Sequence, residues 1–106
     1  MPKYLLEVTY TADGAKGLIK DGGSKRKQAA EAAMASAGAR MESFYFAFGG
    51  VDVYTICDAP DHAAMSAVSL AINAAGAARL KTIVLMTPEE MDQAAKKSVT
   101  YRAPGS

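Results

Sequence analysis

The sequence predicts an α+β sandwich built from two βαβ halves. Three observations carry this reading: four short runs rich in β-branched and aromatic residues, two longer helical runs between them, and a repeat in wording. In that repeat, AGAR at 37–40 leads into MESFYFAF, and AGAAR at 75–79 leads into LKTIVLM. The order β-α-β followed by β-α-β folds as a ferredoxin-like βαββαβ sandwich with strand order 4-1-3-2.

The first strand is expected over residues 4–10, YLLEVTY. After it, the glycine-bearing stretch 14–23 reads as a flexible loop ending in LIKDGGS. The first helical run, SKRKQAAEAAMASAG, starts at an expected Ser24 N-cap and stops at Gly38. The second strand follows at 41–48. Gly49 and Gly50 supply a tight hairpin turn, and the third strand occupies 51–58. DHAAMSAVSLAINAAG gives a second helix between Asp61 and Gly76, with Met65, Val68 and Ile72 on one face and Leu70 off that stripe. The fourth strand is placed at 79–86. A shorter helix, PEEMDQAAKK, opens at Pro88, and residues 98–106 form a loose tail. Residues 1–97 therefore make one domain, long enough for a single core.

Strand alternation separates two faces. Tyr4, Leu6, Val8 and Tyr10, then Phe44, Phe46 and Phe48, Val51, Val53, Thr55 and Cys57, and Leu80, Thr82, Val84 and Met86 form the side that helices should cover. The opposite side mixes Leu5, Glu7, Met41, Tyr45, Asp52, Tyr54, Ile56, Lys81, Ile83 and Leu85. A monomer would leave that aromatic and aliphatic surface in water, and the aromatic second strand would be an unprotected edge. Both problems point to a homodimer, or a higher homo-oligomer, that closes two sheets face to face as a dimeric α+β barrel.

Composition narrows the function classes. Half of the residues are apolar and the formal net charge is +1, which argues against disorder and against an electrostatically driven nucleic-acid binder. The aromatics concentrate on one strand rather than on a central stacking platform, so RNA binding is rejected too. No apolar run is long enough to cross a bilayer, and no basic-then-apolar leader opens the chain, so a cytoplasmic location is expected. One cysteine and one histidine are too few for the usual metal sites, and neither glycine-rich nucleotide motif can be read, so no metal and no cofactor are expected. Cys57 reads as a buried structural thiol, since no histidine lies near it in sequence to activate it.

The ordered series YTADG, Arg26 in the first helix, FYFAFGGVD, APDHAA and AARLKTIVLMTPEEM resembles the GYD-domain family over roughly residues 4–91. The resemblance implies the dimeric α+β barrel architecture and carries no activity with it. Gly49 and Asp52 match the family's Gly/Tyr/Asp signature, whereas Val51 stands where the tyrosine is expected. A role for that phenol is therefore not carried over, and Tyr45 and Tyr54 are the nearby phenols.

Asp52, Tyr54 and Tyr45 are the candidate catalytic residues, a carboxylate beside phenols on a face that a second sheet would enclose. The structural alternative makes Asp52 a strut and the tyrosines packing groups. Glu7, Arg26, His62 and Lys81 are candidate ligand-binding residues, with Arg26 set between Lys25 and Lys27 to hold an anion near a helix start. The competing readings are a solvated charged face for Arg26 and a surface histidine for His62. The expected function is small-molecule binding, extending to a cofactor-free enzyme of monooxygenase or isomerase type by analogy of fold. A non-catalytic ligand-sensing or assembly module is the alternative.

Overall fold

A computed structural model describes all residues, Met1–Ser106. Its elements run β1 (Lys3–Tyr10), α1 (Ala12–Asp21), α2 (Gly23–Ser36), β2 (Arg40–Phe46), β3 (Val53–Asp58), α3 (His62–Ala75), β4 (Ala78–Leu85) and α4 (Pro88–Lys96). The four strands form one antiparallel sheet in the order β2-β3-β1-β4, the expected arrangement read from its other edge. No helix is long and apolar enough to cross a membrane.

The largest departure from the sequence reading is α1, a helix where a flexible loop was expected. Thr11 caps it by accepting a bond from the Gly14 amide, and the Thr11 hydroxyl and amide both donate to the Ala77 carbonyl. Two glycines lower the helix propensity of this segment. Gly14 is nonetheless required, because it is buried and a Cβ there would overlap the Ala77 carbonyl oxygen. The helix thus rests on tertiary contact with the turn before β4. Gly22, at φ 82°, breaks the chain between α1 and α2 and takes the N-cap position expected for Ser24, without a side-chain cap bond.

The second helix and α4 form as read. Asp61 caps α3 through the Ala64 amide at 2.8 Å, and Gly76 adopts the left-handed conformation at its end. Thr87 and Glu90 complete a reciprocal capping box on α4, with Pro88 in the first turn. Yet α4 buries none of its residues. The radius of gyration, 17.0 Å, accordingly exceeds the ~13 Å expected of a compact chain of this length.

Tyr4, Leu6, Met34, Ala39, Cys57, Ala59, Met65, Val68 and Leu80 pack as one core between the sheet and helices α2 and α3. Full burial of a side chain such as Leu6 or Val68 contributes about 1.5–3 kcal/mol. Leu70 stays exposed, off the α3 stripe.

Three stretches depart from the expected pattern of cover. A bulge between Met41 and Ser43 places Met41 opposite Cys57, on the helix-covered side rather than the mixed face. The turn after β2 is wider than a two-residue hairpin: Ala47 N donates to Asp52 O across a loop that leaves Phe48 fully exposed and Val51 outside any strand. Val84, which borders an open groove with α3, and Met86, past the end of β4, are about half exposed instead of covered.

Cys57 is fully buried, its thiol 3.6 Å from the Met65 sulfur. Burial first, and the neighbouring Asp58 second, push its pKa up to about 11. The folded state therefore holds a proton that the unfolded chain releases from about pH 8.5. The unfolded state binds fewer protons in that window, so this contribution is fully present below it and is lost as pH rises toward 11. Urea unfolding of the wild type against Cys57→Ala at increasing pH should show the wild type losing about 3 kcal/mol more across the window. Parallel curves would refute the assignment.

Candidate functional site

Helix α2 presents Arg26, Ala29, Ala30 and Ala33 at helical spacing beside Met34, its one buried side chain, and three of these five are alanines. Opposite Ala29, Ala30 and Ala33 stand Leu6, Val8, Phe44, Val53 and Leu80 of the sheet, and Ile72 of α3. Small residues facing large ones leave a chamber of about 130 Å³. Tyr10, Thr55 and Arg26 are the residues with polar side-chain groups in its wall. The Thr55 hydroxyl is committed to the Ser43 carbonyl at 2.7 Å. Arg26 is half-buried, and its guanidinium takes no part in the three ion pairs, which join Lys3 to Glu42, Lys3 to Asp58 and Arg40 to Asp58.

The sheet's other face carries four of the residues singled out from sequence. Tyr45 pairs with Tyr54, Tyr54 with Glu7, and Glu7 with Lys81, so the four stand in one row across all the strands. Tyr45 is 70% and Tyr54 40% exposed. The adjacent row is Ser43, Ile56, Leu5 and Ile83. Beyond it, Lys3 lies between Glu42 at 2.5 Å and Asp58 at 3.0 Å, and these two bonds, Glu42's first, raise the lysine's pKa. Glu42 reaches Lys3 because it is the extra residue of the bulge.

Asp52 does not join the tyrosine row. It precedes β3, and its carboxylate accepts the Tyr10 amide at 2.8 Å. The β1·β3 ladder ends at the Val8–Val53 pair, while β1 continues to Tyr10. The carboxylate thus supplies an acceptor where the neighbouring strand has stopped. Asp52's own amide donates to Val8 O, and its carbonyl accepts from Ala47, so one residue ties β1 to both ends of the loop.

His62 lies at the start of α3, away from the other candidates. Its Nδ1 shares a hydrogen bond with the Tyr4 hydroxyl at 2.5 Å, and the two rings meet edge to face with centroids 5.7 Å apart. Burial, and then the charge of Asp61, raise the Tyr4 pKa. Alternation along β1 correctly put the Tyr4 ring in the core, but no sequence signal links it to a histidine 58 residues away. The pair borders an open groove with Ser69 and Thr82, whose hydroxyls are 2.7 Å apart. The site candidates therefore fall in separate places: Arg26 at the helix-covered chamber, the tyrosine row on the open face, Asp52 at the sheet end, and His62 beside α3. No three His, Cys, Asp or Glu side chains gather to hold a metal ion.

Replacing Asp52 by Asn keeps the size and removes the charge that attracts the Tyr10 amide. We expect Asp52→Asn to lose about 1 kcal/mol and Asp52→Ala about 1–3 kcal/mol in denaturant unfolding, the latter leaving a donor without its acceptor. An unchanged midpoint in both variants would contradict the strut geometry.

Searches of curated proteins and of solved structures returned no significant match. A family model does match, that of the GYD domain, over residues 4–95. Its span runs from the first core tyrosine through the sheet and into α4, taking in the chamber, the strand rows and the His62 contact, and the chain belongs to the GYD-domain family.

Proposed function

We propose that the protein binds a small, largely apolar molecule in the chamber between α2, α3 and the sheet, and that it does so as a homodimer. The chamber carries the first part. This partly open pocket between helix and sheet, with Ala29 exposed in its wall, approaches the size of cavities that admit a single aromatic ring. The dimer is supported by the uncovered face, where Leu5, Ile56 and Ile83 lie between the tyrosine row and the Lys3 ion pairs. An α4 that buries nothing on its own body adds further surface for a second copy.

Binding is favoured over chemistry within the chamber, because its wall has no carboxylate or imidazole to move a proton. A cofactor-free enzyme has support from one place, the buried Tyr4 hydroxyl against His62, which lies in a different groove. The ligand-sensing alternative needs only the chamber and an interface.

Toluene is a suitable first probe. Saturable NMR shifts are expected at residues lining the chamber, and Ala30→Phe, which fills the space from α2, should weaken binding at least about tenfold, or ~1.4 kcal/mol. No saturable shift in the wild type would remove the chamber as a ligand site.

Oligomeric state tests the second half of the proposal. The wild type should sediment as a dimer or a larger even-numbered assembly, and Ile83→Asp should split or unfold it, since burying an unpaired charge costs several kcal/mol. A wild-type monomer at micromolar concentration, or an intact assembly of Ile83→Asp, would overturn the interface assignment.

A further inference from the structure

We infer that the chamber selects a small carboxylate, a single ring or a short branched chain bearing one anionic group, with Arg26 as the residue that holds the charge. This rests on the chamber being a ligand site and goes on to name the ligand's class. The chamber wall is apolar apart from Tyr10, Thr55 and Arg26, and Arg26 is its one charged residue. Arg26 is half-buried, and its guanidinium has no acidic partner in the chain.

The chain offers little to compensate it locally. The first turn of α2 contains no acidic residue, and its N-cap glycine makes no side-chain bond to the free amides of that turn. Lys25 and Lys27 add positive charge to the end of the helix nearest Arg26, and Asp21, one residue before the N-cap, offsets only part of it. A guanidinium presents a planar fork of donors that matches a carboxylate with two parallel bonds. A ligand with an apolar body and one carboxylate satisfies both parts of the site: the body fills the space left by the α2 alanines, and the anion meets the arginine. A neutral ligand would desolvate the guanidinium without replacing its water. A dianion would need a second cation, and none lines the wall.

The test compares benzoate with the neutral probes benzyl alcohol and toluene on the full chain, by NMR titration at low and high salt. Benzoate is expected to bind at least about tenfold more tightly than benzyl alcohol at low salt, with the advantage shrinking as salt rises. Arg26→Met should erase the difference while leaving toluene binding in place. Arg26→Lys should keep part of it, since the charge remains and the fork is lost. Should Arg26→Met fail to fold, the salt dependence in the wild type and the Arg26→Lys comparison decide. Equal affinity for benzoate and benzyl alcohol, with toluene still bound, would overturn this inference and leave the chamber standing as a ligand site. Absence of binding by all three probes would overturn both.

Discussion

Two helices can cover only one face of a four-stranded sheet, and most of this molecule's organisation follows from that constraint. Helices α2 and α3 pack on the side carrying Tyr4, Leu6, Val53, Cys57 and Leu80, and the buried core lies there. Every strand must then divide its residues between a dry side and an open one. β1 and β3 obey cleanly, since their fully buried positions alternate. On β4 the cover is incomplete: Thr82 meets Ser69 of α3 at 2.7 Å, yet Thr82 and Val84 stay exposed.

The chamber arises from the same packing. A helix laid on a sheet buries its facing stripe, and bulky residues on that stripe would close the gap. On α2, Ala29, Ala30 and Ala33 stand beside the buried Met34, and their small side chains leave a partly open pocket of about 130 Å³ against the sheet. Such a pocket forgoes the dispersion contacts that bulkier α2 side chains would make with the sheet. Arg26, on the same stripe, supplies the one charge in the wall. These features give the helix-covered side a chemical character that the open face, with its paired tyrosines and alternating charges, does not share.

Irregularities in the strands have local physical causes. The bulge at Glu42 turns Met41 into the core and frees the glutamate to meet Lys3, so one extra residue serves both faces. Asp52 resolves another mismatch, between a long β1 and a shorter β3, by lending a side-chain oxygen where a backbone carbonyl is missing. A carboxylate held by a strand amide and placed at the sheet end is thereby explained through backbone satisfaction. The Tyr4–His62 contact likewise gives a buried phenol the partner that its desolvation requires.

By itself the sequence determined the order of the strands, the two main helices, a short helix opening at Pro88, the buried state of Cys57 and the division of the sheet into a covered and a mixed face. These are legible because each depends on local propensity or on a period of two or 3.6 residues, which any short window displays. Tertiary structure decided the rest. Helix α1 forms although its glycines discourage it, because Gly14 permits close approach to Ala77. Met41 changes sides because a bulge interrupts the alternation, and Asp52 turns to Tyr10 because two strands end at different points. The sequence offers Arg26 as a candidate anion holder against a solvated charged face, but its place at an apolar chamber required α2, α3 and the sheet to be assembled around it. Each of these outcomes depends on the distance between residues far apart in the chain, and no local pattern encodes such a distance.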